Sequence, residues 1–404
     1  MMFKEINIYV FLFIWLNLLS CQADTSNAKD IKLEKVYRIV YEIYPNEWYQ
    51  RQAELWKIEI EKNPTNEDAW YNYYNANRYA HFDEIEQSDR QKKLDQIILE
   101  MEKAIPNTFT YHLLAYWNSY NIKNMHHINE AYKINPSRPD TYYPFISEAI
   151  VTGNEDKLKE FCTKLYNSED IAPWLLNYNY NVLMSTKENA ILITNGDNDT
   201  YPIWVLQNAK NIRKDVTLLN ISLLPEESYF KNSMKLTGLK IEYEEIKEKS
   251  KQRSSADPSN FRALFLQEFV NTLIKQYPET PLYFALTVYR HLFEPFENNL
   301  YVVGLAYQYS PNRFDNIGLI KKNLESQFRF DYLTHDFYGE HFPGKTLASK
   351  INMNYIAPIV LLVEHYYNSG ENTKAEFWKN LAVKIAQEAG SQEALDEIHK
   401  KFNK

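Results

Sequence analysis

The stretch AILITNGDNDTYPIWVLQNAKNIRKDVTLLNISLL, from Ala190 to Leu224, decides the fold of this chain. Its apolar beginning stops at Asn195-Gly196, an acidic loop follows, and a helix-like segment then runs to about Ile212. A second apolar run begins at Val216. Asn-Gly marks a sharp turn, and Asp and Thr before a proline are typical of a helix N-terminus. The stretch therefore predicts a strand, a tight loop, a helix and a second strand.

Short apolar runs rich in β-branched residues continue to alternate with helical segments over about residues 188–312. Such alternation indicates a mostly parallel sheet that is covered on both faces. The strands that we predict are Ala190–Thr194, Val216–Leu224, Leu239–Tyr243, Pro281–Val288 and Tyr301–Tyr309, with helices between them that include Tyr201–Ile212 and Phe261–Gln276. The polar stretch Lys247–Ser259 predicts a surface loop.

Helical spacing dominates on both sides of this region, in residues 33–187 and 313–404. Pro64, Pro106 and Pro136 lie 42 and 30 residues apart, which brackets the roughly 34-residue period of tetratricopeptide repeats. A regular amphipathic helix is predicted from Asn154, its N-cap, to Tyr166. The predicted fold class is therefore α/β plus all-α, a small mostly parallel sheet domain flanked by tetratricopeptide-like helical hairpins.

The N-terminus has the plan of an export signal. Residues 1–20 carry Lys4 and then an apolar core of about a dozen residues, too short to span a bilayer. The core ends in Leu18-Leu19-Ser20-Cys21, which resembles a bacterial lipoprotein box, where the cysteine is lipidated. We therefore expect lipid on Cys21, a tether over residues 21–32, and a protein on the inner or outer membrane facing the periplasm or the cell surface. An uncleaved anchor and an ordinary signal with a chance cysteine are the alternatives.

The composition narrows the classes of partner. The net charge of −8 is spread along the chain and the basic residues form no stripe, so nucleic acid is not expected as a partner. The aromatic share of 15% with only 9 glycines favours helical packing over a loop-rich fold. The only cysteines, Cys21 and Cys162, allow neither a disulfide framework nor a cysteine-based metal site. Cys162 lies on an apolar helical face and is predicted to be a buried structural thiol.

A family resemblance is carried by Asn195-Gly196-Asp197-Asn198-Asp199-Thr200 and by the residues that follow in order. After a helix containing Leu-Gln come Arg213, Asp215-Val216 and Asn220-Ile221-Ser222-Leu223-Leu224. This pattern resembles the soluble C-terminal half of the bacterial protein O-mannosyltransferase-like multi-pass membrane family. Later strands around Pro281–Ala285 and Gly304–Tyr307 also fit, so the resemblance covers about residues 185–385. It implies an α/β fold and an envelope location. In that family the membrane-spanning half, which this sequence lacks, is expected to perform the glycosyl transfer, so transferase activity is not implied here.

The best candidate site is the acidic loop with Asp197, Asn198 and Asp199. Aspartates in an Asp-x-Asp pattern after a strand hold metal and diphosphate in many glycosyltransferases. Alternatively, the same side chains close a turn and cap the next helix. Arg290 and His291 follow another predicted strand and would then face the same edge of the sheet. We predict ligand contact at these five residues, with no catalytic residue, no metal and no cofactor, because the sequence contains no glycine-rich phosphate loop and no nucleophile elbow.

Two histidine-containing segments complete the candidates. His335 and His341 are six residues apart in a segment with Gly339 and Pro343, which favours a packing loop over a zinc site. His126-His127 lies in a repeat-like helix and is predicted to be on the surface.

These features together predict a lipid-anchored binding or scaffold protein of the cell envelope that recruits a protein or glycan partner without catalysis. The alternative is an envelope enzyme of glycan or glycoprotein metabolism with a metal or sugar site at Asp197 and Asp199. A purely structural assembly subunit is a third possibility.

Overall fold

A computed structural model describes residues 32–80, 87–119, 125–255, 258–334 and 344–402. The signal segment, Cys21, its tether up to residue 31 and the His335–His341 segment therefore lie outside the described residues. The chain divides into two compact units, with divisions after Glu148 and on either side of residues 342–347. We call them the helical unit (described residues up to 148, with 344–347) and the sheet unit (described residues from 149 to 334 and from 348 onward).

The helical unit consists of helices separated by the proline-containing turns that the sequence predicts. Asn63-Pro64, Pro106-Asn107 and Asn135-Pro136 each lie between two helical segments. At Asn66 the side-chain oxygen accepts the backbone N–H of Ala69 at 3.2 Å and caps the second helix. The helices are α1 (Asn46–Lys62), α2 (Glu67–Tyr79), α3 (Gln87–Ala104), α4 (Phe109–Ser119), α5 (His126–Ile134) and α6 (Tyr142–Thr152), which contains the division at Glu148.

Large aromatic side chains fill the core of the helical unit. Trp70 and Tyr74 of α2 pack with Met101 of α3 and Leu114 of α4. The indole N–H of Trp70 donates to the carbonyl oxygen of Pro64 at 2.8 Å, so this ring is satisfied both by packing and by a hydrogen bond. The tyrosine and tryptophan content of the sequence is therefore largely used for packing in this unit.

The sheet unit contains five strands and the remaining helices. Its strands are β1 (Ile191–Thr194), β2 (Thr217–Asn220), β3 (Leu282–Ala285), β4 (Leu300–Val302) and β5 (Ala306–Tyr309). Its α-helices are α7 (Glu155–Asn167), α8 (Pro173–Met184), α9 (Asp197–Lys210), α10 (Glu227–Thr237), α11 (Tyr243–Arg253), α12 (Phe261–Gln276), α13 (Arg290–Phe293), α14 (Ile317–Lys322), α15 (Asp331–Thr334), α16 (Lys345–Asn352), α17 (Ile356–Asn368), α18 (Asn372–Glu388) and α19 (Gln392–Phe402). Helix α16 begins before the division at residue 347. Every residue of β1 and β3 is buried, as in a sheet covered on both faces.

The sheet is mixed, so the prediction of a mostly parallel sheet is wrong. Its strand order is β2-β1-β3-β5-β4, in which β1 runs parallel to β2 and β3, whereas β5 is antiparallel to β3 and β4. The predicted strand Tyr301–Tyr309 is in fact a hairpin. Gly304, with a φ of 148°, turns the chain between β4 and β5, and any Cβ there would lie 2.6 Å from the Ser185 hydroxyl. The broader prediction, α/β plus all-α, is confirmed.

Two further elements differ from the sequence-based expectation. The run Leu239–Tyr243 forms no strand, because Tyr243 instead packs its ring against Phe230 and Phe265 of neighbouring helices. The polar stretch that begins at Lys247 is not a loop until after Arg253, since α11 continues through it. Charged pairs at helical spacing, including Glu245 with Lys249 at 2.7 Å, support this exposed helix.

The amphipathic helix α7 is confirmed together with its cap. The Asn154 side chain accepts the backbone N–H of Lys157 at 3.0 Å, and Phe161, Cys162 and Leu165 are buried. Burial raises the pKa of the Cys162 thiol well above its usual range. Cys162 is therefore the inert structural thiol that the sequence predicts.

Among the described residues, one helical stretch, Lys345–Asn368, is long and apolar enough to cross a membrane. Of the most apolar part of this stretch, 56% is buried inside the protein. The α17 part of this stretch packs against α18, with Ile359, Leu362 and Val363 fully buried. This burial is typical of a core helix in a globular unit.

Candidate ligand site at the carboxyl edge of the sheet

The acidic loop lies at the carboxyl end of β1, where the order in which the strands are added to the sheet reverses. The chain leaves β1 to form β2 on one side, and β3 later pairs with the other side of β1. Open α/β sheets bind ligands outside the carboxyl ends of strands at such a switch point. Asp197, Asn198 and Asp199 follow β1 here, and Thr287 follows β3.

Asp199 uses both carboxylate oxygens to bind groups of the protein itself. Its Oδ1 accepts the backbone N–H of Gly196 at 2.7 Å, and its Oδ2 accepts that of Asn195 at 2.8 Å. The Thr287 hydroxyl donates to Oδ2, and the Thr200 hydroxyl lies 3.3 Å from Oδ1. Asp199 is 3% exposed. It therefore fixes the loop between β1 and α9 and joins that loop to the end of β3.

Burial raises the pKa of Asp199 above its ordinary value. Its hydrogen bonds from Thr287, Asn195, Gly196 and Thr200 favour the charged form and act in the opposite direction. Desolvation is the larger effect, because the side chain has almost no contact with water. A carboxyl group with a raised pKa at a sheet edge has the chemistry of a general acid, although its oxygens already have internal partners.

The raised pKa predicts how Asp199 contributes to the pH dependence of stability. The native state keeps the proton to higher pH than the unfolded chain, in which an aspartate has a pKa of about 3.9. The contribution of Asp199 to the free energy of unfolding is therefore fully present below about pH 3.9 and falls as pH rises through the native pKa. Urea unfolding of the wild type and Asp199→Asn should show a stability difference that shrinks as pH rises. A difference that widens with pH would contradict the direction of this shift.

A second set of polar side chains continues from Asp199 to the end of β2. The hydroxyl oxygens of Thr194 and Thr200 are 2.9 Å apart, and Asn220 Nδ2 donates to Thr200 Oγ1 at 2.9 Å. The Asn220 side-chain oxygen accepts the backbone N–H of Ser222 at 2.9 Å. These contacts connect the ends of β1 and β2 through buried hydroxyl and amide groups, and so hold the loops at this edge of the sheet.

The other two residues of the acidic loop are more accessible than Asp199. Asp197 is exposed at the first position of α9, and Asn198 is half-buried. The backbone oxygen of Asn198 accepts Asn179 Nδ2 of α8 at 2.8 Å, which anchors the loop from its other side. Asp197 is therefore the more accessible carboxylate of this loop.

Arg290 and His291 lie in the segment after β3, at the beginning of α13. The guanidinium of Arg290 pairs with Glu297 at 2.6 Å, and the exposed His291 stacks on the Tyr289 ring with centroids 5.9 Å apart. Thr287 is the residue of this segment that binds Asp199. Thr287 is not among the residues predicted from the sequence, because its only signal there is its position two residues beyond a buried strand.

Arg213 forms a further polar centre at the opposite end of the β1 segment. Its guanidinium donates to the carbonyl oxygens of Leu183 at 2.9 Å, Thr186 at 3.0 Å and Lys187 at 2.7 Å. It also pairs with Asp215 at 2.9 Å. This cation satisfies carbonyl groups at and beyond the C-terminus of α8, where a positive charge is stabilised by the helix dipole.

His127 is not simply a surface residue, as the sequence analysis predicted for His126-His127. Its Nδ1 lies 2.9 Å from Nδ1 of His112, and it is half-buried, whereas His126 is exposed. Burial is the main effect that lowers the pKa of both His112 and His127. Within the described ranges, no group of three His, Cys, Asp or Glu side chains is placed to hold a metal ion.

One segment of this chain matches a known protein family. Residues 175–246 match the family model described as TMEM260-associated domain 2. TMEM260 is a protein O-mannosyltransferase-like family, so the match is consistent with the sequence resemblance in this segment. No curated protein matches the chain. The matched residues include the acidic loop, Arg213, Asp215 and Asn220.

Proposed function

We propose that this chain is a non-catalytic binding or scaffold protein, anchored to the cell envelope by lipid on Cys21, that recruits a protein or glycan partner. The proposal rests on the hydrogen bonds that the Asp199 carboxylate accepts. Because its two oxygens accept bonds from Asn195, Gly196 and Thr287, binding a metal or substrate there would disrupt the loop. Exposed Asp197 is compatible with contact to a partner.

Two further features support a binding role. The helical unit, with prolines between its helices, is compatible with tetratricopeptide-like hairpins, and stacked hairpins commonly bind extended partners. We also propose that the resemblance to the soluble half of the O-mannosyltransferase-like family continues beyond the matched residues 175–246, to about residue 385. That half lies outside the predicted catalytic membrane portion, which favours recruitment over transfer.

Cys21→Ser tests the anchor. If lipid on Cys21 holds the protein, this change should move most of it from the membrane fraction to the soluble fraction, and it should abolish labelling by a fatty-acid analogue. Cys162→Ser is the matched control, because Cys162 is fully buried and its thiol pKa is raised. Unchanged fractionation and labelling of Cys21→Ser would rule out the lipid anchor.

Cross-linking in the native envelope tests the recruiting role. The anchored wild type should capture a defined protein or glycan, and Asp197→Asn should reduce that capture at an unchanged thermal midpoint if the partner binds this edge. Cys21→Ser should also reduce capture by removing the protein from the membrane. Capture that is the same for all three proteins would be non-specific and would contradict the proposal.

The alternative is an envelope enzyme acting on glycans. The buried Asp199, with its raised pKa at the switch point, is the observation that favours it. Purified wild type would then cleave or transfer an envelope glycan, and Asp197→Asn would lose that activity while keeping its fold. The binding proposal expects no turnover from either protein.

A further inference from the structure

Arg38 in the helical unit is surrounded by aromatic rings. Its guanidinium carbon lies 5.2 Å from the centroid of the Trp117 ring, 5.3 Å from that of Tyr143 and 5.9 Å from that of Tyr41. Arg38 is only partly exposed. In the part of the chain that the structure describes, no carboxylate pairs with this guanidinium and no side-chain hydrogen bond involves it.

A cation in such surroundings has lost part of its hydration without gaining a counter-charge. Aromatic faces attract a guanidinium, but this attraction replaces only part of the interaction with water or with an anion. All five N–H donors of an arginine need acceptors, and ring faces are weak ones. Arg38 therefore has unused capacity to bind an anion.

Asn75 supplies an independent second observation. Its side chain is 3% exposed, and its Nδ2 has no hydrogen-bond partner among the described groups. Asn75 lies on α2 four residues after Tyr71 and four before Tyr79, and this spacing places all three on one face of the helix. Val36, two residues before Arg38, packs in one cluster with Tyr79 and donates its backbone N–H to Asn72 Oδ1 of the same helix at 2.7 Å. The buried amide donor is therefore on the side of α2 against which the Arg38 segment packs.

We infer that Arg38 and Asn75 form a binding site for the carboxylate group of a small ligand, with the surrounding aromatic rings contacting its body. A carboxylate has two oxygens that accept a paired set of bonds from a guanidinium and have lone pairs left for an amide N–H₂. The rings of Trp117, Tyr41 and Tyr143 suit a ligand body with a flat or apolar face.

The charge around the site favours a carboxylate over a phosphate. Asp140 is already paired with Arg138 at 2.9 Å, so Arg38 supplies the single positive charge for the ligand. This one charge compensates a carboxylate but not a phosphate that carries close to two charges. A sugar acid and an N-blocked amino acid share the required chemistry and differ in the body attached to the carboxylate.

This site is separate in sequence from the sheet edge and does not depend on the lipid anchor. A binding test with purified full-length chain therefore stands apart from the fractionation and capture tests above. The probes are D-glucuronate and N-acetylphenylalanine, compared with neutral D-glucose and N-acetylphenylalanine amide and with inorganic phosphate. We expect at least one of the two carboxylates to bind and to raise the thermal midpoint, and the neutral analogues and phosphate to bind at least tenfold more weakly.

Asn75→Leu distinguishes a binding role from a structural one. Because the Asn75 donor has no partner in the unliganded protein, this change should raise the thermal midpoint without ligand, and it should weaken carboxylate binding by about tenfold or more. Asn77→Leu is the matched control on the same helix. The Asn77 amide donates to the Tyr73 carbonyl at 2.7 Å, so its loss should lower the midpoint and leave the binding affinity unchanged.

Arg38→Lys provides a second variant that keeps the charge and removes the planar donor pair. It should weaken carboxylate binding about tenfold or more while the protein stays folded. The inference is overturned if neither carboxylate binds at concentrations up to about 10 mM. It is also overturned if the neutral analogues or phosphate bind equally well, or if Asn75→Leu and Arg38→Lys bind as the wild type does.

Discussion

Asp199→Asn should lower the free energy of unfolding by about 2–4 kcal/mol at neutral pH. The native carboxylate accepts backbone N–H groups of Asn195 and Gly196 on different oxygens. An asparagine has only one side-chain oxygen, so its N–H₂ group would face one of these two backbone donors and could not accept its hydrogen bond. Urea unfolding followed by circular dichroism measures the change.

Asp197→Asn is the matched control for this experiment. Asp197 is two residues earlier and exposed, so its replacement should change the free energy of unfolding by no more than about 0.5 kcal/mol. If both variants unfold like the wild type, Asp199 is not the residue that fixes the loop. A stable Asp199→Asn protein with a lost glycan activity would support the enzyme alternative instead.

The sequence predicted the position of the candidate site but not its most important contact. The strand, loop and helix around Asp199 follow from local patterns, and β1 and α9 are found where the pattern expects them. The bond from Thr287 joins residues 88 positions apart in the chain. Such a pair depends on which strand lies beside β1, and one sequence has no local signal for that order.

Two of the incorrect strand predictions have physical causes that local patterns do not show. The run Tyr301–Tyr309 has strand-like residues throughout, yet Gly304 allows a backbone conformation that reverses the chain within it. The run Leu239–Tyr243 alternates as a strand does, but its aromatic side chain Tyr243 finds its partners on helices. In both cases the tertiary contacts, rather than the propensities, determine the outcome.

Several residues that carry the family resemblance form hydrogen bonds that hold loops and strand ends of this chain. Asp199 fixes the first loop, Asn220 connects β2 to Thr200, and Arg213 binds three carbonyl groups. A pattern made of polar residues that hold loops is shared between proteins of one fold whether or not they share a reaction. The match over residues 175–246 is therefore better evidence for the fold than for a transferase activity.

Arg213→Met should lower the free energy of unfolding by about 3 kcal/mol or more. The methionine keeps an apolar stem but removes the guanidinium bonds to the carbonyl groups of Thr186 and Lys187 and one of the bonds to that of Leu183. It also leaves Asp215 without the cation that does most to lower its pKa. Chemical unfolding of the variant and the wild type measures the loss, and hydrogen exchange should localise it to the C-terminus of α8 and the start of β1.

Lys214→Met controls for the loss of one positive charge at this turn. Lys214 is exposed, so its replacement should change the free energy of unfolding by no more than about 0.5 kcal/mol. Equal effects of the two variants would mean that net charge, not the hydrogen bonds of Arg213, stabilises the turn.

Arg213 has a φ of 48°, a conformation rare for a residue with a side chain, and its side-chain bonds offset that cost. Arg213→Gly should therefore destabilise the protein less than Arg213→Met, because glycine removes the same bonds but relieves the backbone strain.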